Sequence, residues 1–141
     1  MDDNISANWH FHHLGYAVAS VSNELAYFQQ LGYRQEGKQF SDPTQGIKGC
    51  FITGGGPRIE LLENLQGFDT LTPWLRNGIK FYHTAYEVPD IHQAIAETVR
   101  QKAKIITSPV PAVAFNQRLI AFVMLRNRLL VEFIHKPSDN A

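Results

Sequence analysis

Cysteine is almost absent from this chain, since only Cys50 among the 141 residues is a cysteine. A lone cysteine cannot form an internal disulfide, and this composition is typical of a protein from a reducing compartment. We therefore expect a cytoplasmic location. No local sequence signature marks Cys50 as a reactive thiol, so we expect it to be buried and inert.

Clusters of charge and long apolar runs are also missing. Thirteen basic residues balance thirteen acidic ones, without any run of Lys or Arg, so we expect neither nucleic acid nor an anionic membrane as a partner. The longest apolar run, LIAFVML at 119–125, is too short to span a bilayer. The N-terminal MDDNISANW lacks the apolar segment of a signal peptide. These features predict a soluble, unexported protein.

The main positive feature is an internal repeat. FHHLGYAVASV lies over FYHTAYEVPDI at a shift of 70 residues, which places His13 over His83. At a shift of 72 residues RIELLE lies over LVEFIH, which places Glu60 over Glu132. The shared order and nearly constant offset predict a duplicated unit of about 70 residues. We predict a single domain, 1–141, made of two modules at about 8–70 and 78–137.

Each module is predicted to fold in the order β-α-β-β-β. A short β-rich segment, HLGYAV or HTAYEV, precedes a helical pattern, and three strand-like runs with Gly, Pro or Asn turns follow. Ser22 is predicted to cap the first helix, which stops at Gly32. Asp90 is predicted to cap the second, which runs to about Lys102 and has Val99 on its apolar face. One helix leaves a sheet face bare, so we expect an α+β fold in which two βαβββ modules pair their mixed sheets into a half-open barrel.

The repeat distinguishes two neighbouring histidines, His12 and His13. Adjacent residues of a strand point to opposite faces, and His13 shares its face with the small Gly15. The same pattern recurs at His83, whereas His12 falls over Tyr82. The duplication therefore favours His13 and His83 as functional residues. His12 is predicted to be a packing or hydrogen-bonding neighbour.

Glu60 and Glu132 lie in the middle of apolar strands, where an ionised carboxylate needs compensation. Two carboxylates and two neutral imidazoles that converge in a cavity would be compensated by a divalent cation. A single strand histidine is more often a core or surface residue, so this hypothesis depends on the duplicated set. The predicted ligands of one Zn, Ni, Co, Mn or Fe ion per chain are His13, Glu60, His83 and Glu132.

These residues resemble a known family, the vicinal oxygen chelate superfamily, which includes glyoxalase I, methylmalonyl-CoA epimerase, extradiol dioxygenases and antibiotic-resistance proteins. The resemblance rests on HHLGYAV, YFQQLGY, QGIKGCFI, RIELLEN, FYHTAYEV, SPVP and LLVEF, and it is greatest to the epimerases and glyoxalase-like proteins. It implies paired βαβββ modules, a metal held by the same four residues, and often a homodimer.

The resemblance implies an enzyme that moves a proton α to a carbonyl, an epimerase or an isomerase or lyase of the lactoylglutathione kind. A metal that binds two neighbouring oxygens stabilises the enolate, and Glu132 is the expected base, with Glu60 as its symmetric partner. The expected substrate is an acyl-CoA or other thioester, or a 2-oxo thiol adduct. A binding or resistance protein without metal is the alternative. An iron dioxygenase fits less well, because it expects one carboxylate ligand rather than two.

The chain departs from the epimerases it resembles in three places. One is Glu60, a position that is frequently Gln in the epimerases and commonly Glu in glyoxalase I. These enzymes often carry Glu before the QG of the first module, as a second acid or base, whereas this chain has Thr44 there. Asp42 is the acidic residue nearby. The loop after SPVP, often rich in Gly and Arg in relatives that hold a CoA or a phosphate, is AVAFNQR here. The candidate substrate-binding residues are therefore Thr44, Asn116 and Arg118.

Overall fold

The computed structural model describes residues 5–137, which divide into two compact units. One unit comprises residues 13–82. The other comprises the described residues 5–12 together with 83–137, so the start of the chain packs with its second half. That these units make one domain with the predicted module boundaries stays a prediction.

The unit of residues 13–82 contains a mixed four-stranded sheet. Its strands lie in the order β2-β3-β4-β1, with β1 parallel to β4 and the other neighbours antiparallel. The elements in chain order are β1 (His10–Ala17), α1 (Val21–Gln29), β2 (Arg34–Asp42), β3 (Ile47–Thr53), β4 (Ile59–Asn64) and α2 (Thr72–Arg76).

The second unit repeats this plan. Its strands lie in the order β5-β8-β7-β6, and β5 is parallel to β8. The elements are β5 (Phe81–Val88), α3 (Ile91–Arg100), β6 (Lys104–Pro111), β7 (Leu119–Met124) and β8 (Leu130–His135), with 3₁₀ turns at Ile5–Asn8 and Val113–Phe115. The predicted α+β class and the β-α-β-β-β order of each module are confirmed.

One face of each sheet is covered by the helix of the same unit, as strand alternation predicts. Tyr16 and Leu61 pack with Val21 at the start of α1, and Phe133 packs with Ile95 of α3. Burial of these apolar side chains is the main force that holds helix and sheet together. The residues between them on each strand point to the other face, which includes the predicted ligands.

The cap of α1 was predicted two residues too late. Ser20, not Ser22, is the N-cap: its backbone is extended, its carbonyl accepts from the N–H of Glu24, and its hydroxyl accepts from the N–H of Asn23. Two serines close together offer the same chemistry, and the extended backbone of Ser20 decides between them. After α1 the chain turns at Gly32, whose positive φ of 91° suits glycine.

Asp90 is confirmed as the cap of α3. Its carboxylate accepts from the backbone N–H groups of His92 and Gln93, and the helix ends at Arg100 rather than Lys102. Val99 is 40% exposed, so the predicted apolar face is shorter than the periodicity indicates. The connection between the modules contains α2, which was not predicted because it is a single short turn.

The last strand of each unit, β4 or β8, also binds the first residue of the helix in that unit through a side chain. Glu63 Oε1 accepts from the N–H of Val21 at 2.8 Å, and His135 Nδ1 accepts from the N–H of Ile91 at 3.2 Å. These groups satisfy donors that a helix leaves open at its first turn. Each helix N-terminus is thereby fixed to the strand that carries the glutamate.

Candidate metal centre

In the unit of residues 13–82, His13 and Glu60 form a buried pair. His13 Nε2 and Glu60 Oε1 lie 3.1 Å apart, and His13 is fully buried. The register of the parallel strands β1 and β4 brings them together, because Gly15 lies beside Glu60. As predicted from alternation, a small residue two positions after the histidine leaves room for the carboxylate.

The second unit contains a matching pair. His83 Nε2 and Glu132 Oε1 lie 3.2 Å apart, and both residues are about 3% exposed. Ala85 lies beside Glu132 in the register of β5 and β8, as Gly15 lies beside Glu60. The duplication seen in the sequence is therefore a duplication of local geometry.

Beside each histidine–glutamate pair lies a phenylalanine, which was not predicted from the sequence. Phe51 lies opposite Glu60 in the register of β3 and β4, and Phe122 lies opposite Glu132 in that of β7 and β8. The rings of His13 and Phe51 meet edge to face with centroids 5.3 Å apart. The rings of His83 and Phe122 do the same at 5.2 Å. A shift of 71 residues, between the two shifts already noted, places Phe51 over Phe122.

The donor atoms of each pair are of the kinds that bind a divalent cation. All four side chains are buried, and each offers one ligand atom of a kind that holds a metal ion. Two imidazole nitrogens and two carboxylate oxygens suit a borderline transition metal rather than Ca²⁺ or a thiolate-bound ion.

His12 differs from His13 in what its ring contacts. The His12 ring packs edge to face against Phe115 at 5.4 Å, and its side chain is half-buried. Packing is the role that its place over Tyr82 predicts.

The candidate substrate-binding residues have different surroundings. Thr44 and Asn116 are exposed, and Asn116 adopts a left-handed backbone at the end of a 3₁₀ turn. The guanidinium of Arg118 donates to Glu87 Oε2 at 2.8 Å and to the carbonyl of His135 at 3.1 Å. Arg118 thus contributes to the structure of its own unit, and its contact with a substrate stays a prediction.

Cys50 precedes Phe51 on β3 and is fully buried in the helix-covered core of its unit. Burial, together with the nearby negative charge of Glu60, raises the pKa of its thiol to about 11. Both effects disfavour the thiolate, which is the reactive form. The structure thus agrees with the predicted inert thiol.

A family model described as the Glyoxalase/Bleomycin resistance protein/Dioxygenase superfamily matches residues 12–122. The chain belongs to this superfamily. The match includes both histidines, Glu60 and both phenylalanines, while Glu132 lies just beyond it.

Solved structures show the same fold. A hypothetical protein from Bacillus halodurans is 27% identical, with a TM-score of 0.78 over 93% of this chain and 96% of that one. The methylmalonyl-CoA epimerase from Mycobacterium tuberculosis is 17% identical, with a TM-score of 0.76 over 93% and 90%. That of Streptomyces coelicolor, in complex with 2-nitronate-propionyl-CoA, is 14% identical, with a TM-score of 0.71 over 92% and 98%. Comparison with curated proteins found no significant match.

Within residues 5–137, none of the helices combines the length and apolar character needed to cross a membrane.

Proposed function

We propose that this protein is a metal-dependent enzyme that transfers a proton α to a carbonyl group of a small thioester or 2-oxo compound. The observation that carries the proposal is the duplicated buried pair, His13 with Glu60 and His83 with Glu132. Membership of the superfamily supports it, because that superfamily includes enzymes of this kind.

The two pairs are proposed to hold one divalent cation together. Their neutral imidazoles leave two carboxylate charges in an apolar setting, and one divalent ion balances both. When bound, the ion supplies the positive charge that stabilises an enolate. The protein residues then have to orient the substrate, exclude water and carry the proton.

Glu132 is the proposed base, with Glu60 as the symmetric candidate. Each glutamate lies directly across from a small residue, Ala85 or Gly15, and its carboxylate is the proposed acceptor of the substrate proton. The proton passes from the substrate carbon to a carboxylate oxygen and returns to the same carbon or to its neighbour. Return to the same carbon exchanges the proton, and return to the neighbour isomerises the compound.

A single base fits this chain better than two bases on opposite sides of the carbon. Thr44 has no acidic group. Asp42, two residues before it in the sequence, has a carboxylate, but this residue is only 1% exposed. Both oxygens of Asp42 accept from Gln45, one from its backbone N–H and one from its side-chain amide. This carboxylate therefore stabilises the turn after β2, and the proposal favours isomerase or lyase chemistry over a two-base epimerase.

The substrate class is proposed from the similar solved structures and from the candidate substrate-binding residues. The epimerase of Streptomyces coelicolor was solved with an acyl-CoA analogue, so an acyl-CoA or other thioester is one candidate. A 2-oxo thiol adduct is the other, because it also presents two neighbouring oxygens. Thr44, Asn116 and Arg118 are the proposed substrate contacts.

Proton/deuterium exchange tests the proposal before the natural substrate is known. The metal-loaded protein is incubated in D₂O with a panel of acyl-CoA esters and 2-oxo thiol adducts, and α-deuterium is followed by NMR. We expect exchange with at least one class, and its loss in Glu132→Gln protein that still contains the metal, because the amide has the size of the carboxylate but cannot accept the proton. Exchange that survives in Glu132→Gln and is lost in Glu60→Gln would assign the base to Glu60.

A metal-free binding protein of the same fold is the second candidate, since the superfamily also includes bleomycin resistance proteins. Protein that is purified without chelators, contains no divalent metal and exchanges no substrate proton would overturn the enzyme proposal and favour this one.

A further inference from the structure

We propose that Phe51 and Phe122 are positioning residues of the metal centre, which hold the imidazoles of His13 and His83 in one orientation. This inference rests on the proposed function, because it assigns a role to two rings beside the proposed ligands. Neither ring donates to a metal ion, and each acts through the histidine that it touches.

The first argument is that the arrangement is duplicated. Each phenylalanine lies on the strand next to the glutamate strand, directly opposite the glutamate. The contacts with His13 and His83 have nearly the same separation, 5.3 and 5.2 Å, and steep interplanar angles of 70° and 86°. The contact thus occurs in both copies, with the same partner types and nearly the same geometry, and does not depend on the local packing of one unit.

The second argument is the face on which the two rings lie. Their neighbours along the strands, Cys50 and Ile52 in β3 and Ala121 and Val123 in β7, are fully buried in the helix-covered cores. Phe51 and Phe122 point to the opposite face and are only half-buried. The rings are therefore placed beside the histidines rather than in the helix-facing cores.

Such a contact has two physical effects: it fixes the orientation of the imidazole, and it keeps water away from the carboxylate. An edge-to-face contact is lost when either ring turns about its own bond, so it holds an imidazole nitrogen in one direction. A phenyl ring also offers no group that binds water, and fewer waters beside the carboxylate strengthen its attraction for a cation. Phe40 extends the apolar surface in one unit, because its ring centroid lies 5.9 Å from that of Phe51.

The test measures metal affinity in Phe51→Leu and Phe122→Leu by competition with a chromophoric chelator. Leucine keeps the apolar volume nearly constant and removes the ring. We expect the dissociation constant of the metal to rise roughly 3- to 10-fold in each variant, from the loss of one aromatic contact. The absorption bands of the Co²⁺-loaded protein, which report ligand geometry, are expected to shift in both.

Phe28→Leu is the matched control. The Phe28 ring makes the same kind of edge contacts, with Tyr16 and Tyr33, but lies in the α1 core away from either histidine. It should lower the thermal stability of the metal-free protein as much as the other two and leave metal affinity and the Co²⁺ spectrum unchanged.

The outcomes separate this inference from the proposed function. If wild type binds the metal and both site variants bind it equally well with an unchanged spectrum, the positioning role is wrong and the proposed function stands. If wild type binds no divalent metal, both are wrong. If Phe28→Leu weakens metal binding as much as the site variants do, the effect comes from a general loss of packing and the inference fails.

Discussion

His12 and His13 are neighbours in the chain with different surroundings. His13 is buried against Glu60, whereas His12 packs on Phe115. We expect His13→Ala to lower metal affinity by more than about 100-fold, because it removes a proposed ligand and not merely an outer contact. His12→Ala should leave affinity unchanged. Isothermal titration with Zn²⁺ measures both, and equal loss in the two variants would contradict the assignment.

Cys50 provides a second prediction for a single residue. Its thiol is fully buried and has a pKa of about 11, so at pH 8 almost none of it is thiolate and no reagent can reach it. We expect no reaction with a chromogenic disulfide reagent in the folded protein, and one thiol per chain in guanidinium chloride. Rapid reaction of the folded protein would show that β3 opens or that the thiol is accessible.

The histidines and glutamates could be predicted from the sequence because duplication marks them. The two phenylalanines could not be recognised by residue type, since a phenylalanine in a strand usually belongs to a core. Their meaning depends on strand register, which places Phe51 opposite Glu60 and Phe122 opposite Glu132. The repeat is clear in the first and last strands of the modules, whereas β3 and β7, which carry the phenylalanines, have no such marked similarity.

At the scale of elements, β3 and β4 depend on one glycine. A Cβ on Gly49 would lie 1.9 Å from the carbonyl oxygen of Leu61, which belongs to the paired strand and cannot move aside. Gly49→Ala should therefore lower the free energy of unfolding by about 3 kcal/mol or more. Lys48→Ala, at an exposed neighbour, should cost little. Urea unfolding followed by circular dichroism measures both, and equal stability of the two variants would contradict the register of these strands.

The order of the elements was predictable, and their ends were less so. Hydrophobic patterns gave the eight strands and two long helices, because those patterns directly reflect burial. The helix cap at Ser20 instead of Ser22 was decided by the local backbone. The short helix α2 has few periodic positions, and the packing of Leu71 and Trp74 with Ile47 and Leu62 of the sheet supports it.

At the scale of the whole molecule, duplication connects sequence, fold and site. Each unit supplies one histidine, one glutamate and one phenylalanine in the same register. The central proposal is that a single ion is bound by four ligands, two from each half of the chain.

Metal stoichiometry tests that proposal most directly. The protein is purified without chelators and reloaded with a divalent metal, and its metal content per chain is measured by elemental mass spectrometry. The variants His13→Ala and His83→Ala are measured in the same way. The account predicts one ion per chain in wild type and loss of that ion in either variant, because each variant removes a ligand from the same centre. Two ions per chain, one lost in each variant, or none in wild type, would contradict it.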